Sequence, residues 1–339
     1  MADPVPGEVL RVAVGVLRRP DGRVLVAERD PRRHQGGRLE FPGGKCDPGE
    51  SGLAALTREL REEVGVEVTA AEPLIRVRHD YGDRRVELET FLVTGWRDEP
   101  HGAEGQAVEW VDPGRLSADR FPAANRPVLA ALSRPALCLI TPDIDAVPGG
   151  DELLSGLERA LTGRRVGLVQ LRRRDRGSPE WRSLTNAAAE RCSAHGVTLM
   201  VNGTPDLLDD LPGEVGLHMP AAVLRDHSSR PVAASRLLGC ACHDVDEVAS
   251  AERAGVDQIL IGPVLPTRTH PGAKTLGWEG LAELTARTTL PAYAVGGLQV
   301  GDLGGAREAG AIGVAESGAS GRNPISRGGA EPRPRVPPC

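Results

Sequence analysis

From Leu137 onward, short apolar runs alternate with amphipathic segments, and this rhythm limits the folds open to the chain more than any other feature. The runs are Leu137–Ile140, Val166–Leu171, Thr198–Val201, Val215–His218, Leu237–Ala241, Gln258–Ile261, Ala292–Val295 and Ile312–Ala315. Between them, Glu152–Leu161, Glu180–His195, Val245–Ala254, Trp278–Ala286 and Val300–Ala309 carry helical spacing. A continuous apolar run suits a parallel strand buried on both faces, and eight βα repeats predict a compact (β/α)8 barrel. An open doubly wound sheet is the competing arrangement. Residues 317–339 are rich in Gly, Pro, Ser and Arg and offer little to bury. They predict a disordered tail, and a barrel left incomplete at its C-terminus because the eighth helix is missing.

The first part of the chain has a different order. Strand-like runs at Val9–Leu17 and Val24–Ala27 flank a Pro20-Asp21-Gly22 turn. A glycine-rich loop, one amphipathic helix, further runs at Leu74–Arg78 and Val86–Thr94, and a short helix at Pro127–Leu132 follow. This is an α+β pattern, so the chain divides into 1–133 and 137–316, with the boundary near Ser133-Arg134-Pro135.

Composition excludes several function classes. A net charge of −6 argues against direct nucleic-acid binding or an anionic membrane as the main partner. Six cysteines without Cys-x-x-Cys spacing argue against a zinc site or disulfide framework. Residues 1–10 do not resemble a signal peptide, and no run is long and apolar enough to span a bilayer, so a cytoplasmic protein is expected.

Chemistry is concentrated between Gly44 and Val66. The segment reads Gly44-Lys45-Cys46-Asp47-Pro48-Gly49-Glu50, seven further residues, then Arg58-Glu59-Leu60-Arg61-Glu62-Glu63-Val64-Gly65-Val66. On a helix, Leu53, Leu56, Leu60 and Val64 form the expected core stripe. Glu59, Glu62 and Glu63 then share an adjacent stripe, where three like charges favour a hard cation such as Mg2+, with Mn2+ also suitable. A solvated acidic face paired with Arg58 and Arg61 is the simpler alternative for the glutamates alone.

The whole pattern, glycines included, resembles the Nudix box at Gly44, Glu50, Arg58, Glu59, Leu60, Glu62, Glu63, Gly65 and Val66. That resemblance implies an αβα sandwich and hydrolysis of a nucleoside diphosphate derivative. It implies that Glu59, Glu62 and Glu63 hold the metal, that Arg58 orients a glutamate, and that Gly43 offers a backbone carbonyl through the Gly43-Gly44 turn. Leu39-Glu40-Phe41-Pro42-Gly43-Gly44-Lys45, Glu104-Gly105-Gln106, Glu109-Trp110 and Phe121-Pro122-Ala123-Ala124-Asn125-Arg126-Pro127 resemble the MutT-type 8-oxo-dGTP diphosphatases. The implied nucleotide-binding residues are Arg29, His34, Phe41 and Asn125, with Asn125 reading the base and Glu104 a further ligand or base. The implied partner is a nucleoside triphosphate and the implied role nucleotide-pool sanitation. Dihydroneopterin triphosphate and sugar nucleotides are the rival substrates.

The second part resembles the thiamine phosphate synthase and TenI superfamily at Leu139-Ile140-Thr141-Pro142-Asp143, Val169-Gln170-Leu171-Arg172, His243, Gly262 to Gly272, and Ala294-Val295-Gly296-Gly297-Leu298. The implied ligand-binding residues are Gln170, Arg172, Asn202, His243, Thr267, Thr269, Gly296 and Gly297, with a thiazole or thiamine phosphate as ligand. Gly203 and Ala222 stand where the synthase pattern has magnesium carboxylates, and His270 replaces a lysine. Those departures disfavour synthase chemistry, whereas TenI-type isomerisation, with His243 as acid–base, does not need the missing groups. Three readings stay open: a nucleotide hydrolase with an inert or ligand-sensing barrel, a two-activity enzyme, and a thiamine-pathway protein whose Nudix half removes a pyrimidine pyrophosphate.

Overall fold

The computed structural model describes residues 9–29, 35–142, 150–163, 166–172, 178–267 and 272–317. In the first domain β1 (Val9–Leu17) pairs in parallel with β6 (Arg85–Arg97) and antiparallel with β4 (Gly43–Lys45), and β5 (Glu67–Asp80) pairs with β6. The sheet order is β4-β1-β6-β5. A second sheet runs β3 (Leu39–Glu40), β2 (Val24–Glu28), β7 (Val108–Val111). Helix α1 (Gly52–Val64) covers one apolar face, with Ala13, Leu17, Leu25, Leu56 and Leu60 between. Helix α2 (Arg126–Ser133) covers the other, against Val14, Val16, Val26 and Leu74. Two cores around β1 are the reason its Ala13–Leu17 segment is buried on both sides. The αβα sandwich implied by the sequence is present.

Three details differ from the sequence reading. Leu53 is 49 % exposed. The buried face of α1 is centred on Leu56 and Leu60 and extends to Gly52 and Ala55, so Leu53 lies at its edge in the first turn. Gly43-Gly44 is the short strand β4 instead of a turn, registered on Val14 and Ala13. Strands β3, β4 and β7 have 2 to 4 residues and are defined by their partners, since runs this short carry no period of their own.

In the second domain β8 (Leu137–Ile140), β9 (Leu168–Leu171), β10 (Thr198–Asn202), β11 (Gly216–Met219), β12 (Leu238–Cys242), β13 (Gln258–Ile261), β14 (Ala292–Val295) and β15 (Gly313–Ser317) form a closed parallel ring. The last strand pairs with the first, Ala315 opposite Cys138, so the ring of strands is complete despite the expectation of an incomplete barrel. Residue 317 belongs to that strand, and the expected tail from 318 lies outside the described residues. Around the ring come α3 (Gly150–Gly163), α4 (Pro179–Ala194), the single turn α5 (Ala221–Leu224), α6 (Val245–Arg253), α7 (Gly277–Thr285) and α8 (Leu303–Glu308). Leu139, Val169, Val201 and Leu217 pack with α3 and α4 residues such as Leu157 and Trp181. Cys138, Leu168, Met200, Leu260 and Tyr293 belong to the other cluster, the barrel interior. Strand alternation makes this separation.

The linker is tied to the floor of the barrel. Arg134 donates to Gln258 Oε1 (2.9 Å), and the Tyr293 hydroxyl donates to the Pro135 carbonyl (2.8 Å). No helix among the described residues is long and apolar enough to cross a membrane, and the five cysteines among them are free thiols.

Candidate active site

Helix α1 is built to carry charge at a fixed place. Ser51 caps it by accepting from the Ala54 amide, and Gly65, in the left-handed region at φ 69°, ends it. Of the three carboxylates, Glu62 is the exposed one, whereas Glu59 and Glu63 are half-buried against the sheet. Arg58 organises this surface. Its guanidinium donates to both Glu50 oxygens (3.2 and 2.9 Å), to Glu59 (2.7 Å) and to the Lys45 carbonyl (2.9 Å). Its hydrogen bonds to Glu50 and then to Glu59 hold its pKa far above the ordinary value. Glu50 in turn accepts from the Asp47 amide, which closes the loop ahead of the helix.

Glycine is required beside these groups. A Cβ on Gly44 would lie 2.2 Å from the Glu59 carboxylate, and one on Gly43 would lie 2.1 Å from the Ala13 carbonyl. The Gly43 amide donates to Glu63 (2.9 Å). The carbonyl role implied for Gly43 is therefore joined by a donor role at its N–H.

Glu104 reaches the same place from a distant loop. The Ala103 amide and the Gln106 side chain both donate to the Glu63 carbonyl (2.9 and 2.8 Å), and Gln106 also accepts from the Glu104 amide (3.0 Å). That stapling brings the Glu104 charge to bear on Glu63. Burial, aided by Glu40, Glu59 and Glu104, outweighs the Gly43 amide and pushes Glu63 up to about 7. A buried carboxylate with three others acting on it is a chemical match for a divalent cation. Among the described residues no three such side chains converge on a point as they stand. Arg58 and the Gly43 amide hold Glu59 and Glu63 instead, and a cation would have to draw them together.

Of the implied nucleotide residues, Arg29, Phe41 and Asn125 are described. Arg29 is ion-paired with Glu40. Phe41 and Phe121 are buried with ring centroids 5.3 Å apart. Asn125 is buried, at the N-cap position of α2, yet its side chain makes no capping bond. The neighbouring Ala124 amide donates to the Tyr81 hydroxyl (3.2 Å). Sequence reasoning did not single out Tyr81, whose place on the loop after β5 depends on the fold. His34 lies outside the described residues.

The barrel residues gather at the carboxyl ends of the strands. Gln170 follows Leu168 and Asn202 follows Met200 on the inward register, and Arg172 continues it, its amide donating to Thr141 Oγ1 (3.0 Å). Gly296 and Gly297 have φ of 96° and 67°, and a Cβ on either would lie 2.6 Å from Pro263 or Pro266 backbone, so only glycine lets the two loops meet. Thr267 precedes residues 268–271, and Thr269 and His270 lie outside the described residues. His218, inside the ring, has an Nδ1 without a partner, and burial lowers its pKa to about 4.

A further group was missed in the sequence. Glu247, on the first turn of α6, accepts from both the amide and Nδ1 of His243 (2.8 and 2.7 Å) and from Arg225 (2.7 Å). Burial opposes its charge, but the bonds from His243 and Arg225 keep Glu247 below the usual carboxylate range. An ionised partner at Nδ1 fixes the proton there when the ring is neutral, and leaves Nε2 as the basic atom. The signal was the His-Asp-x-x-Glu spacing, in which Asp244 caps the helix and Glu247 faces back one turn.

Comparison with known proteins gives two family matches. A NUDIX domain model matches residues 13–131, and a Thiamine monophosphate synthase model matches residues 137–319. The chain is 40 % identical to the 8-oxo-dGTP diphosphatase of Escherichia coli over 125 residues, 37 % of this chain and 97 % of that protein. It is 33 % identical to the CTP pyrophosphohydrolase of Escherichia coli over 124 residues, 37 % of this chain and 91 % of that protein. Its second part is 34 % identical to a putative thiamine-phosphate synthase of Geobacter sulfurreducens over 173 residues, 49 % of this chain and 78 % of that protein.

Proposed function

From the premise that the chain belongs to the Nudix hydrolases in its first domain and to the thiamine monophosphate synthase family in its second, we propose that it hydrolyses 8-oxo-dGTP to 8-oxo-dGMP and pyrophosphate. The observation that carries the chemistry is the crowding of Glu63 by Glu40, Glu59 and Glu104 beside the Arg58–Glu50 brace. Glu59, Glu62, Glu63, Glu104 and the Gly43 carbonyl would hold Mg2+, with Mn2+ able to replace it. Bound there, the cation would neutralise phosphoryl oxygens and acidify a water. Arg58 keeps Glu59 in place without touching substrate. Glu62 is the most exposed of the three.

The substrate reading rests on Asn125. A buried amide that caps nothing has its donor and acceptor available, side by side, for the edge of a purine, with Phe41 and Phe121 adjacent. Arg29 and His34 are assigned to the nucleotide on the resemblance alone. Rates on 8-oxo-dGTP, dGTP, CTP and ADP-ribose with Mg2+ test the proposal. A clear preference for 8-oxo-dGTP supports it, and a preference for CTP or ADP-ribose refutes the assignment while leaving the hydrolase intact.

For the barrel, the Glu247-held imidazole of His243 supports proton transfer on a thiazole phosphate better than thiamine phosphate synthesis. Gly203 and Ala222 offer no carboxylate for a metal at the positions where synthesis requires one. Gln170, Arg172, Asn202, Thr267, Thr269, Gly296 and Gly297 would bind the ligand, the glycines cradling its phosphate.

A further inference from the structure

The segment that leads into α2 and ends at Asn125 has no cap of its own. Ala123–Asn125 forms a single 3-10 turn, closed by the Asn125 amide donating to the Pro122 carbonyl (2.9 Å). The first amides of such a turn have no partner within it, and a Ser, Thr, Asp or Asn just ahead usually supplies an acceptor. That position is Pro122, whose side chain has no polar atom and makes no capping bond. Asn125 stands in the equivalent position ahead of α2, and its side chain makes no capping bond either.

Tyr81, on the loop after β5, supplies the missing acceptor. Its hydroxyl takes the Ala124 amide at 3.2 Å. Ala124 is buried, so its N–H would be costly to leave unmet. The Tyr81 ring is itself held by an edge-to-face contact with His79, centroids 4.5 Å apart. Burial raises the Tyr81 pKa, offset in part by the Ala124 amide and by the charges of Arg29 and Arg38, so the phenol stays neutral. Arg38 fastens the start of the same segment: its guanidinium donates to the carbonyls of Asp119 and Phe121, both at 2.9 Å. Phe121 then lies against Phe41. Side chains from two distant loops therefore hold residues 119–125 in place.

We propose that Tyr81 is a positioning residue for base selection: its hydroxyl caps the Ala123–Asn125 turn from outside, which leaves the Asn125 amide to the base. The proposal rests on the reading of Asn125 as the residue that contacts the base. Telling apart two purines that differ at one edge needs that amide held to within about 0.5 Å. Without the Tyr81 hydroxyl, the Ala124 N–H has to turn toward another acceptor, and Asn125, the next residue, moves with it. 8-oxo-dGTP and dGTP carry the same triphosphate, so such a shift alters selection between them and leaves the hydrolytic chemistry as it was.

The test measures steady-state rates on both nucleotides with Mg2+ for the full chain, Tyr81→Phe, Asn125→Ala and the double variant. Phenylalanine keeps the ring and its contact with His79 and removes only the hydroxyl. Tyr81→Phe should lower the ratio of kcat/KM for 8-oxo-dGTP over dGTP by about three- to tenfold. The loss should come mainly from a higher KM for 8-oxo-dGTP, with kcat on dGTP unchanged. In the Asn125→Ala background the same substitution should leave the ratio where it is, because the group that Tyr81 positions is gone. An unchanged ratio in Tyr81→Phe, where Asn125→Ala does narrow it, overturns the proposal alone. So does an equal fall on both nucleotides, which would make Tyr81 structural, and so does a further loss of the ratio in the double variant. If Asn125→Ala leaves the ratio unchanged, the reading of Asn125 falls and this proposal falls with it.

Discussion

Replacing Glu63 by Gln should make the metal-free protein more stable while destroying its activity. Folding moves this carboxyl from an ordinary 4.5 to about 7, through burial first and then through Glu40, Glu59 and Glu104. A carboxyl whose pKa rises on folding takes up a proton between those two values. Stability therefore falls as pH increases through that window, and the full cost is present by pH 8. At about 1.4 kcal/mol for each pH unit, the cost has a ceiling of about 3 kcal/mol. Water entering a half-buried site reduces what is measured to about 1–2 kcal/mol. The glutamine can still accept the Gly43 amide, so the charge alone is removed. Urea unfolding in EDTA, followed by near-ultraviolet circular dichroism of the stacked Trp96–Trp110 pair in this domain, measures the difference. The variant should be more stable at pH 8 and equal to wild type at pH 4.5, and Mg2+ should stabilise only the wild type. A gain of the same size at both pH values would refute the electrostatic reasoning, and a loss at pH 8 would show that Glu63 is well solvated.

Glu62→Gln should lower turnover on the preferred nucleotide by about two powers of ten in steady-state assays. Its free energy of unfolding should stay within about 0.5 kcal/mol of wild type, because Glu62 is exposed and off the core face. Asn125→Ala should narrow the ratio of kcat/KM for 8-oxo-dGTP over dGTP while leaving the slower dGTP reaction largely intact; an equal fall on both would make Asn125 a structural residue. Supplied with a pyrimidine pyrophosphate, a thiazole phosphate and Mg2+, the protein should form no useful thiamine phosphate, and robust product would overturn the reading of Gly203 and Ala222.

What could be read from the sequence follows how far apart the cooperating residues are. The spacing of Glu59, Glu62 and Glu63 is a property of one helix, so their placement on one helix was legible without a structure, whereas their convergence was not. The barrel was legible for the same reason, since each strand repeats a local pattern. The missing eighth helix suggested an incomplete barrel, but closing the ring needs only the eighth strand, and Gly313–Ser317 pairs with Leu137–Ile140. Leu53 was misplaced because period alone cannot say how far a sheet extends beneath a helix. Glu104 could be assigned only through resemblance, since its approach to Glu63 depends on a loop closed by Gln106. Glu247 was within reach, four residues beyond His243 on a capped helix, but a carboxylate there also reads as ordinary N-terminal charge. Arg76 is the limiting case. It is unexceptional in its own strand, and its pairing with Glu308 beside α8 exists only where the two domains meet. Local patterning specifies each domain separately, so a contact that depends on the junction is encoded by no period in the sequence.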